Sequence, residues 1–314
     1  MINVGIIGLG HMGGYHASVC SLLSHVNIVG IADPHEKNWA KIKNQHTIKT
    51  TNYHDWIDLV DAVIIAVPTD FHYPIAKDCL QRGKHVFIEK PLTKSIDEAE
   101  ELFSLAYKSN LALHVGHVER FNGAVQELKK IIDKPFLIES HRMGPFQPRV
   151  QGDSLILDLM IHDLDIILNL VNSPVKKLHT HGSTFHTNSC DLATVQIQFE
   201  NGVIANLVSS RVSQIKKRTM EIHQENAYIL LDFTTQDIAI HRHASSSVHV
   251  GSDALKYKQE SMIEHLFVYK DNPLKLEVEY FINAIRNKQN LFNPEQDLSA
   301  LNITFDIERQ LGIR

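Results

Sequence analysis

The first 33 residues follow an order that few folds require. An apolar segment, Ile2–Ile7, leads into a turn that contains Gly8, Gly10 and Gly13, and a later apolar segment ends in Asp33. A dinucleotide-binding βαβ unit uses its first glycine for a tight turn, its second for the approach of a pyrophosphate, and its third for helix packing on the sheet. The N–H groups at the start of that helix attract phosphates. The sequence therefore predicts a nucleotide cofactor.

The acid at the end of the second apolar segment indicates which nucleotide is bound. Asp33 follows Gly13 by about the spacing at which a carboxylate accepts hydrogen bonds from the ribose hydroxyls. A 2′-phosphate would be repelled by this carboxylate and would need a neighbouring arginine. The three residues after Asp33 include no arginine, although Lys37 could still reach a 2′-phosphate. NAD is therefore expected rather than NADP.

Length and composition narrow the class of protein. A chain of 314 residues that is 43% hydrophobic can bury a large core and usually forms two domains. A net charge of −5 gives no general attraction to nucleic acid or to an anionic membrane. The apolar runs are too short to span a bilayer, and no signal-peptide pattern precedes the first strand. Cys20, Cys79 and Cys190 form no Cys-x-x-Cys pair, which is typical of reduced thiols in a cytoplasmic protein.

The first 120 residues alternate short apolar runs with helical patterns, which predicts an α/β domain with a doubly wound parallel sheet. Ligands of such sheets bind beyond the carboxyl ends of the strands, so residues directly after strands become candidates for function. The predicted strands are Ile2–Ile7, Ile28–Ala32, Ala62–Val67, His85–Glu89 and Leu111–Gly116, and the predicted helices are His16–Ser24, Pro34–Asn44, Tyr73–Arg82 and Ile96–Lys108.

The pattern changes after residue 120. Alternating segments dominate residues 176–249, and Asn201-Gly202 is a strong hairpin signal. We expect an α+β domain over residues 121–314 with a large, mostly antiparallel open sheet, and the final helix could return to the first domain. The predicted helices of this part are Ala124–Ile132, Ser154–Val171, Leu274–Lys288 and Pro294–Gln310; the strands are Phe136–His141, Leu192–Phe199, Val203–Ser209, Thr219–His223, Tyr228–Asp232 and Ile238–His241.

Lys90 follows the predicted strand His85–Glu89 and precedes Pro91, which suits a rigid turn out of the sheet. Most lysines are solvated surface residues, and that alternative applies here too. The strand before it is of the buried type, however, and its exit faces the predicted cofactor edge. A lysine held there can hydrogen-bond a sugar hydroxyl and the nicotinamide ribose.

Asp158, His162 and Asp165 are spaced so that a helix would present all three on one face. Polar groups on an apolar helix need partners, because burying an unpaired charge is costly. A histidine can take an alcohol proton near neutral pH, and a nearby carboxylate can orient it. Two alternatives stay open: an Asp–His pair that braces the helix, and a metal site. Because no histidine motif with zincin spacing accompanies the helix, we expect no metal.

Three motifs in this order resemble the glucose–fructose oxidoreductase/inositol dehydrogenase (Gfo/Idh/MocA) family. They are the glycine turn with Asp33, the triplet Glu89-Lys90-Pro91, and the helix with Asp158 and His162. The likeness covers nearly the whole chain. It implies a Rossmann domain, a second domain whose large open sheet often mediates oligomers, and NAD(P)-dependent oxidation or reduction of sugar-like alcohols. A homodimer or homotetramer through that sheet is the expected assembly.

The resemblance also implies roles for individual residues. Lys90 and His162 correspond to the catalytic pair, and Asp158 assists them. The implied cofactor site comprises Gly8, Leu9, Gly10, His11, Met12, Gly13, Asp33, Pro34, Val67, Pro68, Thr69, His72, Glu89 and Lys90, and the implied substrate site comprises Lys90, His117, Arg120, Asn122, Asp158 and His162.

The substrate pocket departs from many members of the family. Ser154-Leu155 and Met160 stand where glycines are frequent, while residues 117–122 and 157–163 look closest to the UDP-N-acetylglucosamine 3-dehydrogenase subgroup. We therefore expect NAD-dependent oxidation of a secondary hydroxyl of a sugar or nucleotide sugar. The alternatives are a free-polyol dehydrogenase of the inositol type and a non-catalytic NAD-sensing regulator. The cations available for a diphosphate are Arg142, Arg149, Arg211, Lys216, Lys217 and Arg218.

Overall fold

The computed structural model describes residues 1–147, 154–250, 255–289 and 294–313, with side chains described outside 243–250 and 255–261. The chain forms two compact units. Unit 1 comprises residues 1–121 and 271–302, and unit 2 comprises residues 122–270 and 303–314. Among the described residues, no helix has the length and apolar character needed to cross a membrane.

Unit 1 contains a six-stranded sheet in the order β3-β2-β1-β4-β5-β6. All of its strand pairs are parallel, which confirms the predicted doubly wound sheet. The order in which strands are added to the sheet reverses between β1 and β4. In such sheets the carboxyl ends of the strands at this switch point form the binding crevice. The strands are β1 (Ile2–Ile7), β2 (Val26–Ala32), β3 (Ile48–Thr50), β4 (Ala62–Ile65), β5 (His85–Glu89) and β6 (Leu113–Gly116).

The helices of unit 1 form where apolar spacing and end signals agree. In α3, Ser95 caps the first turn by accepting a hydrogen bond from the Glu98 N–H (3.2 Å), and Leu102 and Phe103 lie on the buried face. Its bounds therefore equal the predicted ones. The helices that belong wholly to unit 1 are α1 (His11–Leu22), α2 (His72–Gln81), α3 (Ile96–Lys108) and α6 (Pro273–Arg286).

The segment after β2 differs from its prediction. A helix was expected over Pro34–Asn44, but only the six residues Glu36–Lys41 form a 3-10 turn. The Trp39 indole N–H donates to the Asp33 carbonyl at 3.2 Å, which folds this turn back onto the end of β2. A three-residue strand, Ile48–Thr50, follows, and it is too short for its pattern to be recognised.

The domain boundary also needs a correction. Residues 121–314 were assigned to the second domain with a possible return of the last helix, whereas residues 271–302 belong to unit 1. The reason is that α6 presents Val278, Phe281 and Ile282 to the core that contains Phe87. The next helix, α7 (Pro294–Gln310), begins in unit 1 and ends in unit 2.

Unit 2 contains an eight-stranded sheet in the order β14-β13-β12-β11-β7-β10-β9-β8. Its strand pairs are antiparallel except for β7 with β10, which confirms the predicted mostly antiparallel sheet. Gly202, at φ 92°, makes the turn of the predicted hairpin. The strands are β7 (Pro135–Met143), β8 (Val175–Ser183), β9 (Leu192–Phe199), β10 (Ile204–Ser210), β11 (Lys217–Gln224), β12 (Ala227–Asp232), β13 (Asp237–Val250) and β14 (Leu255–His265).

Two helices, α4 (Gly123–Ile131) and α5 (Ile161–Val171), pack on one face of this sheet. Their apolar side chains, such as Leu128 and Leu164, join strand residues such as Ile138 in one buried core. The helix predicted over Ser154–Val171 is interrupted, because Ile156–Met160 forms a π-helical turn before α5 begins.

Candidate functional site

The glycine turn lies between the end of β1 and the start of α1. Gly8 has φ +87°, a conformation that side-chain-bearing residues rarely adopt. In the first turn of α1 no acidic residue and no side-chain cap occupies the N–H groups, and a Cβ at Gly10 would meet nothing within 4 Å. Unoccupied helix N–H groups beside open space suit an anion. The turn therefore fits the pyrophosphate of a dinucleotide.

Asp33 ends β2 beside this turn and is 5% exposed. Its Oδ2 accepts from the Leu9 N–H at 2.7 Å, while its Oδ1 accepts from the His35 N–H at 2.8 Å and from the Asn38 amide at 3.0 Å. Burial raises the pKa of the Asp33 carboxyl, but these hydrogen bonds outweigh burial and leave the pKa below its usual value. Asp33 is therefore a charged acceptor placed for a ribose hydroxyl.

The other predicted cofactor residues follow the carboxyl ends of neighbouring strands in unit 1. Because β1, β2, β4 and β5 are parallel neighbours, these residues share one edge of the sheet. Lys90 is half-buried and follows β5 directly. The residues at this edge are Gly8, Leu9, Gly10, His11, Met12 and Gly13 after β1, Asp33 and Pro34 after β2, Val67, Pro68 and Thr69 after β4, and Glu89 and Lys90 at β5.

His72 was predicted to bind the cofactor, and the structure corrects this. The ring is 1% exposed, with Nδ1 at 2.8 Å from the Pro91 carbonyl and Nε2 at 2.9 Å from the Val67 carbonyl. Burial lowers the pKa of His72, while the carbonyls around the ring oppose that shift. His72 therefore joins the loop after β4 to the Lys90-Pro91 turn, and it positions both.

The Glu89 side chain is held by a histidine of α1. Its Oε1 lies 2.6 Å from Nε2 of His16, a fully buried residue of α1. This contact gives Glu89 a positioning role at the end of β5, beside Lys90. Sequence reasoning missed His16, although a histidine on a helix that packs against a sheet needs a buried partner.

Two predicted substrate residues near the end of the first segment of unit 1, His117 and Arg120, lie beside one carboxylate. Arg120 donates to Asp297 of α7 at 2.6 Å, and His117, which is 3% exposed, lies 3.9 Å from the same carboxylate. Asn122, the first residue of unit 2, was predicted to bind substrate. It is 1% exposed, accepts from the Ala124 N–H and donates to the Phe233 carbonyl at 3.0 Å. Asn122 is therefore a buried cap of α4 instead.

In unit 2, Asp158 lies in the π-helical turn and His162 in the first turn of α5, and both are half-buried. The π turn is wider than an α turn, so the simple helical spacing assumed from the sequence does not hold across it. Such turns occur often at functional sites. Asp165, predicted to share their polar face, is 2% exposed, and Asn169 donates to its carbonyl.

Sequence reasoning missed an ion pair beneath this helix. Arg142 of β7 makes a bidentate contact with Asp163 at 2.7–3.1 Å, and both residues are almost fully buried. Arg142 was among the cations available for a diphosphate, and its pairing with Asp163 instead holds the guanidinium inside the core. The strand alternation, with Ile138 and Arg142 on one face, was the signal available in the sequence.

The other cations considered for a diphosphate include one buried arginine and several residues that are not buried. Arg211 is 4% exposed and lies 3.2 Å from Asp191, so it too is structural rather than a diphosphate contact. Arg149 lies outside the described residues. Lys217 is 3.6 Å from Glu221, and Lys216 is exposed. The described cations that stay candidates for a diphosphate are Lys216, Lys217 and Arg218.

Two substitutions in the glycine turn separate ligand binding from folding. Gly10→Ala is expected to leave the melting temperature unchanged, because its Cβ meets nothing in the protein, yet to weaken NAD binding at least about tenfold by blocking the pyrophosphate. Gly13→Ala would press its Cβ into the Gly8 carbonyl, so it is expected to cost about 1–3 kcal/mol of unfolding free energy. Thermal melts and calorimetric NAD titrations measure both; unchanged NAD affinity of Gly10→Ala would contradict this placement.

The chain is similar in sequence to a family of oxidoreductases. A family model described as "Oxidoreductase family, NAD-binding Rossmann fold" matches residues 2–117, and the "GFO/IDH/MocA C-terminal domain" matches residues 123–230. The chain is 31% identical over 293 residues to UDP-N-acetylglucosamine 3-dehydrogenase of Acidithiobacillus ferrooxidans, covering 93% of this chain and 91% of that protein. It is 26% identical over 231 residues to myo-inositol 2-dehydrogenase of Thermotoga maritima, covering 67% and 69%.

Solved structures give the same pattern of similarity. That of the Acidithiobacillus ferrooxidans UDP-N-acetylglucosamine 3-dehydrogenase superposes with a TM-score of 0.89 at 29% identity, covering 99% of this chain and 97% of that one. Scyllo-inositol dehydrogenase from Lactobacillus casei, with bound NAD(H) and scyllo-inositol, has a TM-score of 0.80 at 21% identity over 99% and 97%. The second likeness supports the fold.

Proposed function

Because the chain belongs to the Gfo/Idh/MocA family of NAD-binding oxidoreductases, we propose that it oxidises the 3-hydroxyl of UDP-N-acetylglucosamine. The protein is an NAD-dependent oxidoreductase with a Rossmann unit. The observation that carries the choice of substrate is the 31% identity to a UDP-N-acetylglucosamine 3-dehydrogenase over 93% of the chain. The myo-inositol 2-dehydrogenase match covers only 67% of it.

In the proposed reaction, His162 accepts the proton of the sugar hydroxyl. Lys90 hydrogen-bonds the same oxygen and stabilises the negative charge that grows on it as the proton leaves. Asp158, which precedes His162 in the chain, orients the imidazole for the transfer. The NAD that the glycine turn and Asp33 would hold would supply the hydride acceptor for the oxidation of this hydroxyl to a ketone.

The chain's own residues hold the reactants in place. The glycine turn and the helix N–H groups receive the pyrophosphate, and Asp33 receives a ribose hydroxyl. On either side of Lys90, His72 contacts the Pro91 carbonyl and His16 contacts the Glu89 carboxylate. Lys216, Lys217 and Arg218 supply positive charge for the UDP diphosphate in this proposal. Preorganised side chains of this kind lower the barrier because they need not reorganise during the reaction.

The test is formation of NADH from NAD with UDP-N-acetylglucosamine, followed by absorbance. We expect the value of kcat/KM to exceed that for N-acetylglucosamine and for myo-inositol by at least about tenfold, because each omitted set of contacts weakens transition-state binding. A preference for myo-inositol would instead indicate a free-polyol dehydrogenase. Tight NAD binding without turnover of any of these compounds would favour a cofactor-sensing regulator.

We also infer a homodimer or homotetramer that forms through the sheet of unit 2. The face of this sheet opposite α4 and α5 carries half-buried apolar residues, including Leu137, Val208 and Leu230, next to Tyr228 and His223. A sheet face that mixes apolar and polar side chains, and that no described residues cover as a layer, is typical of a protein interface. Light scattering measures the mass in solution, and the mass of one chain would contradict this assembly. A cytoplasmic location stays a prediction from the cysteine pattern.

A further inference from the structure

The 3-10 turn Glu36–Lys41 brings a second group of polar side chains to the adenosine end of the cofactor site. This turn follows Asp33 and is tied to it by Trp39 and by Asn38. It was expected to be a regular helix, and the tighter winding changes which of its lysines lies near the glycine turn. Lys37 and Lys41 are both exposed, and it is the ammonium of Lys41 that reaches back to the glycine turn.

The contacts of Lys41 place its charge on the glycine turn. Its Nζ donates to the Leu9 carbonyl at 2.5 Å and to the Gly10 carbonyl at 2.7 Å, and its stem lies next to Gly14. The N–H of Leu9 donates to Asp33. One residue of the turn, Leu9, therefore links the carboxylate of Asp33 to the ammonium of Lys41.

The acceptor positions of Asp33 are mostly used by the protein. Each carboxylate oxygen has two acceptor positions. Oδ1 already receives the His35 N–H and the Asn38 amide, and Oδ2 receives the Leu9 N–H. One position on Oδ2 is left for a ribose hydroxyl. If one ribose hydroxyl takes this position, a phosphate on the 2′ oxygen needs a partner other than Asp33. Lys41 is linked to Asp33 through Leu9 and supplies a cation for it.

We propose that Lys41 is a cofactor-specificity residue whose ammonium offsets the repulsion between Asp33 and a 2′-phosphate, so that the protein also binds NADP. A phosphate carries up to two negative charges and is bound well by a lysine ammonium. The lysine stem is flexible, and the two carbonyls that the ammonium leaves can be hydrated. Exposed charge pairs contribute only about 1 kcal/mol, so NAD stays preferred over NADP.

The experiment compares Lys41→Gln with Lys37→Gln, a matched change on the same turn. Calorimetric titration without sugar gives the dissociation constants of NAD and NADP, so the result is independent of the proposed substrate. We expect Lys41→Gln to weaken NADP binding about fivefold and NAD binding less than about twofold, and Lys37→Gln to change neither. In the unmodified protein, added salt should weaken NADP binding more than NAD binding.

A conservative variant keeps the test decisive. Lys41→Arg retains the charge and is expected to retain NADP binding within about threefold. Equal losses for NAD and NADP in Lys41→Gln would show that Lys41 only braces the glycine turn, and would overturn the proposal. Undetectable NADP binding by the unmodified protein would overturn it as well.

Discussion

His162→Ala is expected to lower turnover at saturating substrate by about 100- to 10,000-fold, the range found when a general base is removed. NAD affinity should stay unchanged, because the substitution leaves intact the glycine turn and Asp33, which are proposed to hold the cofactor. Steady-state rates of NADH formation and a calorimetric NAD titration measure the two quantities separately.

A matched histidine distinguishes proton transfer from a general loss of imidazole groups. His179 is exposed on β8 of the same unit, and His179→Ala should keep normal turnover. Turnover of His162→Ala close to that of the unmodified protein would exclude His162 as the proton acceptor. The Asp–His brace that the sequence left open would then be the better description of Asp158 and His162.

Asp163→Ala is expected to cost about 3–5 kcal/mol of unfolding free energy, because it leaves the Arg142 guanidinium buried without its bidentate partner. Urea denaturation measures this loss. The double variant Arg142→Met/Asp163→Leu should be more stable than Asp163→Ala, since an apolar pair removes the buried charge altogether.

An exposed pair in the same unit provides the control. Asp306 contacts Arg309 at 3.1 Å, with 45% and 71% of their side chains exposed, and Asp306→Ala should change the unfolding free energy by less than about 1 kcal/mol. A similar small effect for Asp163→Ala would show that the buried pair does not hold α5, and so does not support the position of His162.

Local signals predicted several elements well. The bounds of α3 follow from a serine cap and an apolar face, and the hairpin at Asn201-Gly202 follows from its turn residues. The glycine turn and Asp33 were predicted because the residue types and the spacing of that motif can be recognised in the sequence. Lys90 was selected because it directly follows a buried strand, and its catalytic role stays a prediction.

Other features depended on residues far apart in the chain. Arg142 and Arg211 were counted among the cations available for a diphosphate, most of which were expected to be solvated, but Asp163 and Asp191 bind them in the core of unit 2. His72 was expected to contact the cofactor, but two backbone carbonyls enclose its ring. The π turn before α5 carries the same apolar spacing as a helix, so no sequence pattern distinguished it.

Short-range spacing was therefore sufficient for the two sheet types and for the glycine turn, since the residues that form a strand or a tight turn lie close together in the chain. Folding in three dimensions decided which charged groups are available, because the energy of a buried charge depends on whichever partner lies beside it. It likewise decided that α6 belongs to unit 1, where its apolar face completes a core begun more than a hundred residues earlier. The contacts of Lys41 also depended on the tertiary structure, because the winding of its 3-10 turn brings its ammonium to the carbonyls of Leu9 and Gly10.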